Sequence, residues 1–160
     1  MSFVVIFLII IGLLFATAFF TKRRFGVLGL ALAAGAMLSA LWVGDLTPVI
    51  ANAGIILVKP PLESVVAAGL ILLPALLLLA SGPTYRSFPQ RLIGSGAFAV
   101  LAIALLLQPL GSALVIDGVG TSVYGFFIRY RTIIVTVCLI LAILDLLVAK
   151  MPKRRSSSHE

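Results

Sequence analysis

Residues 3–20 form an apolar run without one charged side chain, and residues 133–149 form a second that carries a single acid, Asp145. At about 1.5 Å of rise per residue, the first run makes a helix about 27 Å long, close to the roughly 30 Å hydrocarbon core of a bilayer. Three more runs of similar length lie between them. In hydrocarbon every backbone N–H and C=O has to be paired inside the protein, which leaves helices or closed barrels. Runs this long, without strict alternation, do not fit barrel strands of about ten residues. The expected fold is therefore all-α, a polytopic membrane bundle.

The rest of the composition agrees. The chain is 62% hydrophobic and 11% charged, whereas a soluble domain carries about 25% charged residues. Its net charge of +7 sits mostly at the edges of apolar runs, where an anionic leaflet would hold it. No basic stripe is interleaved with stacking aromatics, so nucleic acid is not an expected partner and the lipid bilayer is.

Five spans are expected, over about 3–20, 25–43, 64–80, 92–107 and 132–149. The turn Lys22-Arg23-Arg24 ends the first, Gln108-Pro109 stops the fourth, and Lys150 stops the fifth. Residues 1–150 then form one membrane domain and 151–160 a basic, polar tail. Ala16-Thr17-Ala18 looks like a cleavage site, but no basic residue precedes the run and the run is longer than the apolar part of a signal peptide, so it is read as a retained anchor. With five crossings, nine Lys and Arg fall on one side of the membrane and three (Lys59, Arg129 and Arg131) on the other. The positive-inside rule places the N-terminus outside and the C-terminal tail in the cytoplasm.

Two outer loops are expected to hold short interfacial or re-entrant helices. In the first, Asp45 and Thr47-Pro48 read as a cap and first helical residue for 48–57, beyond Trp42 at the interface. In the second, Asp117-Gly118 breaks the chain, and Val119, Val123, Phe126, Phe127 and Tyr130 recur at helical spacing before Arg129 and Arg131. The competing reading is that this second segment simply extends span 5. Asp45 and Asp117 are read as turn and capping residues, and Glu63 as an acid at the positive N-terminus of span 3.

Small residues mark expected helix contacts: Gly29, Ala31, Gly35 and Ser39 on span 2, and Gly94 and Ser95 on span 4. These faces are expected to meet a second copy or a membrane protein partner. Pro74 should free a carbonyl near residues 69–70 and bend span 3.

Asp145 is the candidate intramembrane polar site. It lies five residues before Lys150, about 7 Å into the span, where an ionised acid costs less than the roughly 2.5–3.5 kcal/mol of mid-span. It reads either as a proton or ion site or as a polar lock holding span 5 to the bundle, with Arg24 or Arg91 as partner. Catalytic signatures are missing. Gly94-Ser95-Gly96 superficially resembles an intramembrane serine nucleophile, but such chemistry needs a histidine base within the bundle and the one histidine, His159, is in the tail. The lone Cys138 pairs with nothing in the same chain. No metal or cofactor set can be assembled, and an enzyme is not expected.

The stretches Lys22-Arg23-Arg24-Phe25-Gly26-Val27, a basic turn into a small-residue span, and Gln90-Arg91-Leu92-Ile93-Gly94-Ser95-Gly96-Ala97-Phe98 resemble the corresponding segments of the colicin V production protein (CvpA-type) family of bacterial inner-membrane proteins. The amphipathic aromatic segment 119–130 follows in the same order. The likeness covers about residues 1–130. It departs from the family where Pro89-Gln90 replaces the acid that commonly precedes the arginine, and in having a fifth span. The resemblance implies a bacterial inner-membrane scaffold or accessory protein in envelope homeostasis or export, and no chemical mechanism. A small transporter or channel subunit for protons, ions or small solutes is the alternative.

Overall fold

A computed structural model describes residues 3–54, 60–81, 88–113 and 119–150. Among them are five helices and no strand: α1 (Phe3–Thr21), α2 (Phe25–Asn52), α3 (Leu62–Ser81), α4 (Phe88–Ala113) and α5 (Val119–Lys150). Helices α2 to α5 are each long and apolar enough to cross a membrane; the apolar stretch of α1, Leu8–Thr21, is shorter.

The helices run alternately up and down. Three contacts fix this. The Arg23 Nε before α2 donates to the Leu79 carbonyl near the end of α3 at 2.8 Å. The Arg91 Nε near the start of α4 donates to the Phe19 carbonyl near the end of α1 at 2.6 Å. The Gly26 amide at the start of α2 donates to Asp145 near the end of α5 at 3.0 Å. One end of the bundle therefore gathers the starts of α2 and α4 and the ends of α1, α3 and α5; we call it the basic end.

Helix α4 is the hub, touching all four others. Every residue from 101 to 107 is buried, as are Phe98 and Ala99. Around them pack Leu28 and Leu32 of α2, Ile71 and Ala75 of α3, Leu14 and Ala18 of α1, and Cys138 and Ala142 of α5. The outward faces are apolar too: Leu76 and Leu77 on α3, and Ile133, Ile140, Leu144 and Val148 on α5, are exposed. A protein apolar inside and out suits lipid as solvent, where contact between helices rests on close packing rather than on expelling water.

Gly35 shows that packing at its closest. A Cβ there would collide with the carbonyls of Leu70 and Ile71 on α3, so the second hydrogen of the Gly35 Cα points at them. Pro74 lies inside α3, has no N–H, and so frees the Leu70 carbonyl four residues back. The Leu70 carbonyl is thus one of the two that crowd the Gly35 position, with that of Ile71 the nearer. Within the chain this small-residue face meets α3 at Gly35 and α5 at Gly29.

Three expectations for helix bounds are corrected. There is no separate short helix starting at Pro48: α2 continues through it to Asn52, and the remainder of the expected segment, 55–57, lies outside the described residues. Pro48 deprives only the Gly44 carbonyl of its donor, at an exposed glycine, and Thr47 is no cap but donates back to the Val43 carbonyl at 2.7 Å. The second expected short helix is the first part of α5, which runs unbroken from Val119. Tyr124 and Phe127 pack on the core, and the Tyr124 hydroxyl lies where a side chain at Gly111 of α4 would be, so the segment leans on the bundle rather than bending away. Finally, Gln108-Pro109 does not stop α4, which continues to Ala113.

Replacing Gly35 by Leu should cost about 1–3 kcal/mol, since rigid backbone of α3 has to move. Gly12→Leu, where an added Cβ meets nothing within 4 Å, should stay within about 0.5 kcal/mol. Thermal unfolding of both variants in mild detergent checks the pair; equal losses would mean α2 and α3 do not approach as described.

Candidate functional site: an inter-helix cap and a polar cleft

Among the described residues, the side-chain hydrogen bonds between helices lie at the two ends of the bundle. At the basic end the turn between α1 and α2 is only three residues. Lys22 takes a left-handed conformation, φ 56°, which lets α1 stop and the chain reverse. Arg24 is the N-cap of α2 in extended conformation, and its side chain makes no cap hydrogen bond. A guanidinium has no acceptor to offer. The first amides of α2 therefore need an oxygen from elsewhere, and Asp145 of α5 provides it to Gly26. The carboxylate also sits at the positive end of the α2 dipole.

Gly26 is required for this. A Cβ on it would lie 2.6 Å from the Ala142 carbonyl and 3.0 Å from the Asp145 Oδ2. One turn on, a Cβ on Gly29 would stand 3.1 Å from that of Ala142. The two glycines let α5 settle against α2 closely enough for the acid to reach the amide. Of the two arginines expected beside Asp145, Arg91 is turned to α1 instead: its guanidinium lies over the Phe19 ring at 3.9 Å while its Nε holds the Phe19 carbonyl. Arg23 and Arg91 thus bind helix C-terminal carbonyls, and the aspartate binds a helix N-terminus.

At the other end, α2, α3, α4 and α5 splay around a cleft of about 590 Å³. Its mouth carries Glu63 of α3, Gln108 of α4 and Arg131 of α5; Ser39 and Ser64 line its sides; Ala36, Ile71 and Leu105 form its apolar depth. The Arg131 Nε donates to the Ala104 carbonyl at 3.1 Å, which ties the guanidinium to α4. Glu63 is exposed and both serines are buried.

The residues singled out from sequence divide between these places. Gly29, Ala31, Gly35, Gly94 and Ser95 are buried among helices; the Ser95 hydroxyl donates to the Arg91 carbonyl at 2.8 Å, an ordinary helical back-bond. Ser39 lies in the cleft. Trp42, Asp45, Arg129 and Tyr130 are exposed near that end, with Tyr130 against Phe126 at a ring separation of 4.8 Å. Asp117 and the tail 151–160 lie outside the described residues. Sequence reasoning missed the cleft as a unit: Glu63 read as a helix-dipole acid, Gln108 as a stop, and Arg131 as an interfacial anchor. Their only shared signal was that all three fall at span ends on the side with fewer basic residues. Among the described residues no group of three His, Cys, Asp or Glu side chains is arranged to hold a metal.

No protein-family model, no curated protein and no solved structure matches the chain.

Losing the inter-helix cap should cost about what an N-cap is worth. Asp145→Leu is expected to destabilise by roughly 0.5–2 kcal/mol, and Asp145→Asn, which keeps an acceptor oxygen, by less. Thermal unfolding in detergent distinguishes them; an Asn variant as damaged as the Leu variant would mean that charge rather than the hydrogen bond matters there.

Proposed function

We propose that this chain is a non-enzymatic, multi-pass protein of a bacterial inner membrane, acting as a scaffold or accessory subunit in envelope homeostasis or export, in keeping with its resemblance to the CvpA-type family. All five helices cross, α1 included, with the N-terminus outside and the tail in the cytoplasm. The cleft then opens toward the exterior and the Asp145–Gly26 contact lies near the cytoplasmic face.

One observation supports the non-transporting role over its rival: the middle of the bundle is dry. Between the cleft and Asp145 stand Leu28, Leu32, Phe98, Leu101, Ala102 and Ala142, each no more than 1% exposed. An ion passing from one polar end to the other would have to shed its water within that layer, at a cost of several kcal/mol or more. Asp145 is moreover engaged with a helix end, which supports the lock rather than the proton site. The second reading, a small transporter or channel subunit for protons, ions or small solutes, draws on the cleft itself, which resembles one half of an access path.

Proteoliposomes separate the two. The reconstituted protein should pass protons and small ions no faster than empty vesicles, with Asp145→Asn indistinguishable from the natural protein. Flux that vanishes in Asp145→Asn would overturn the proposal in favour of transport. Reporter fusions at residue 160 test the orientation: activity of an exterior-only reporter there would reverse it.

A further inference from the structure

We propose that the cleft between α2, α3, α4 and α5 binds a zwitterionic amphiphile, specifically a bilayer lipid with a phosphoethanolamine headgroup. The inference rests on the bilayer placement proposed above but not on the accessory role.

The charges define the ligand. Glu63 and Arg131 are the two formally charged side chains lining the cleft, and they are of opposite sign. Among the described residues no ion pair joins them, which leaves room for a ligand that bridges the two. A ligand that satisfies both carries one cation and one anion. Arginine is the side chain best suited to a phosphate, because its planar fork offers parallel donors. Its Nε is held by the Ala104 carbonyl, which fixes the plane and leaves the terminal nitrogens for the ligand. Glu63 suits a primary ammonium, which donates hydrogen bonds that a quaternary ammonium lacks. Ser39, Ser64 and Gln108 also line the cleft.

The shape asks for an amphiphile rather than a small polar solute. From Gly44 down to Ala36, both lining residues on α2, the cleft is about 12 Å long at helical rise. Its polar groups are gathered at the mouth and its depth is Ala36, Ile71 and Leu105. A volume of about 590 Å³ lies within the roughly 300–1,000 Å³ of sites that enclose a small molecule.

The level of the mouth chooses the source. Trp42 precedes the lining residue Val43, and Tyr130 precedes Arg131; both aromatics are exposed. Exposed Trp and Tyr settle at the headgroup level of a bilayer. The mouth is therefore where lipid phosphates and amines lie, and the headgroup needs only to move sideways to occupy it.

Trp42 is the one tryptophan of the chain and neighbours the cleft, so its fluorescence reports binding. Full-length protein in mild detergent would be titrated with dihexanoyl phosphatidylethanolamine, phosphatidylglycerol and phosphatidylcholine, and with glycerophosphoethanolamine, which has the headgroup and no chains. The ethanolamine lipid should saturate the signal at about tenfold lower concentration than the other two lipids, the worth of one charge-assisted hydrogen bond. In Glu63→Gln, a change at an exposed position, that preference should fall to about twofold or less.

The outcomes that overturn the proposal are distinct. The three lipids saturating within twofold of one another in the natural protein would end it without recourse to any variant, as would an undiminished preference in Glu63→Gln. Glycerophosphoethanolamine binding as well as the lipid would make the ligand a soluble zwitterion and refute the lipid assignment. Carbonate extraction of vesicles separates the two layers of inference. A chain stripped from vesicles refutes the bilayer placement, whereas a retained chain with no lipid preference refutes the site alone.

Discussion

In hydrocarbon a backbone amide or carbonyl without a partner has no water to turn to, and the order of this bundle follows from that constraint. Helices satisfy their own interiors but leave orphan groups at each end and at each proline. Here the orphans are met by side chains sent from neighbouring helices. Arg23 reaches the end of α3, Arg91 the end of α1, and Asp145 the start of α2. Each bond joins two different helices, so the same interactions that complete secondary structure also fix which helix lies beside which. Gly35 lets α2 approach the Leu70 and Ile71 carbonyls of α3 without any such polar bond.

This places the charged residues in a different light from a count of basic side chains. The count predicts orientation, because Lys and Arg resist translocation. It says nothing of what the arginines do once folded. Lys22, Arg23 and Arg24 stand in a row, yet they act separately. Lys22 turns the chain with a positive φ, and Arg23 caps a neighbouring helix. Arg24 is an N-cap that cannot act as acceptor, and Asp145 supplies the oxygen in its stead. A lysine in place of Arg23 or Arg91 would keep the charge and lose the planar donor edge that now lies against a carbonyl.

How far the sequence can be read follows from the same physics. Hydropathy averages over whole runs, so the helices, their order and the start of α2 at Phe25 were all legible. Prolines misled at Pro48 and Pro109, because near a helix end a single freed carbonyl is cheaply met and the helix continues. The aromatic stripe of 119–130 was legible as a helix, and its spacing left open whether it stood apart or extended span 5; its packing on the core through Tyr124 and Phe127 makes it the first part of α5. The small-residue faces were legible as contacts, yet their partner was not: periodicity marks a face and cannot tell α3 of one chain from another copy. The cleft was least legible. Glu63, Gln108 and Arg131 come from three helices, and no spacing along the chain links residues that only tertiary packing assembles.

The two polar ends also differ in kind. At the basic end three hydrogen bonds join neighbouring segments, Asp145 with Gly26, Arg91 with Phe19 and Arg23 with Leu79. At the cleft, Glu63 of α3 and Arg131 of α5 line a shared space with opposite charge, beside two buried serines. Residues 101–107, all buried, separate the cleft from the other end. The contacts at the basic end thus tie helices together, while at the cleft charged and polar side chains of several helices border one open space. Among the described residues the helix flanks expose many apolar side chains, and the cleft is where side chains of α2, α3, α4 and α5 gather around a space the chain leaves open.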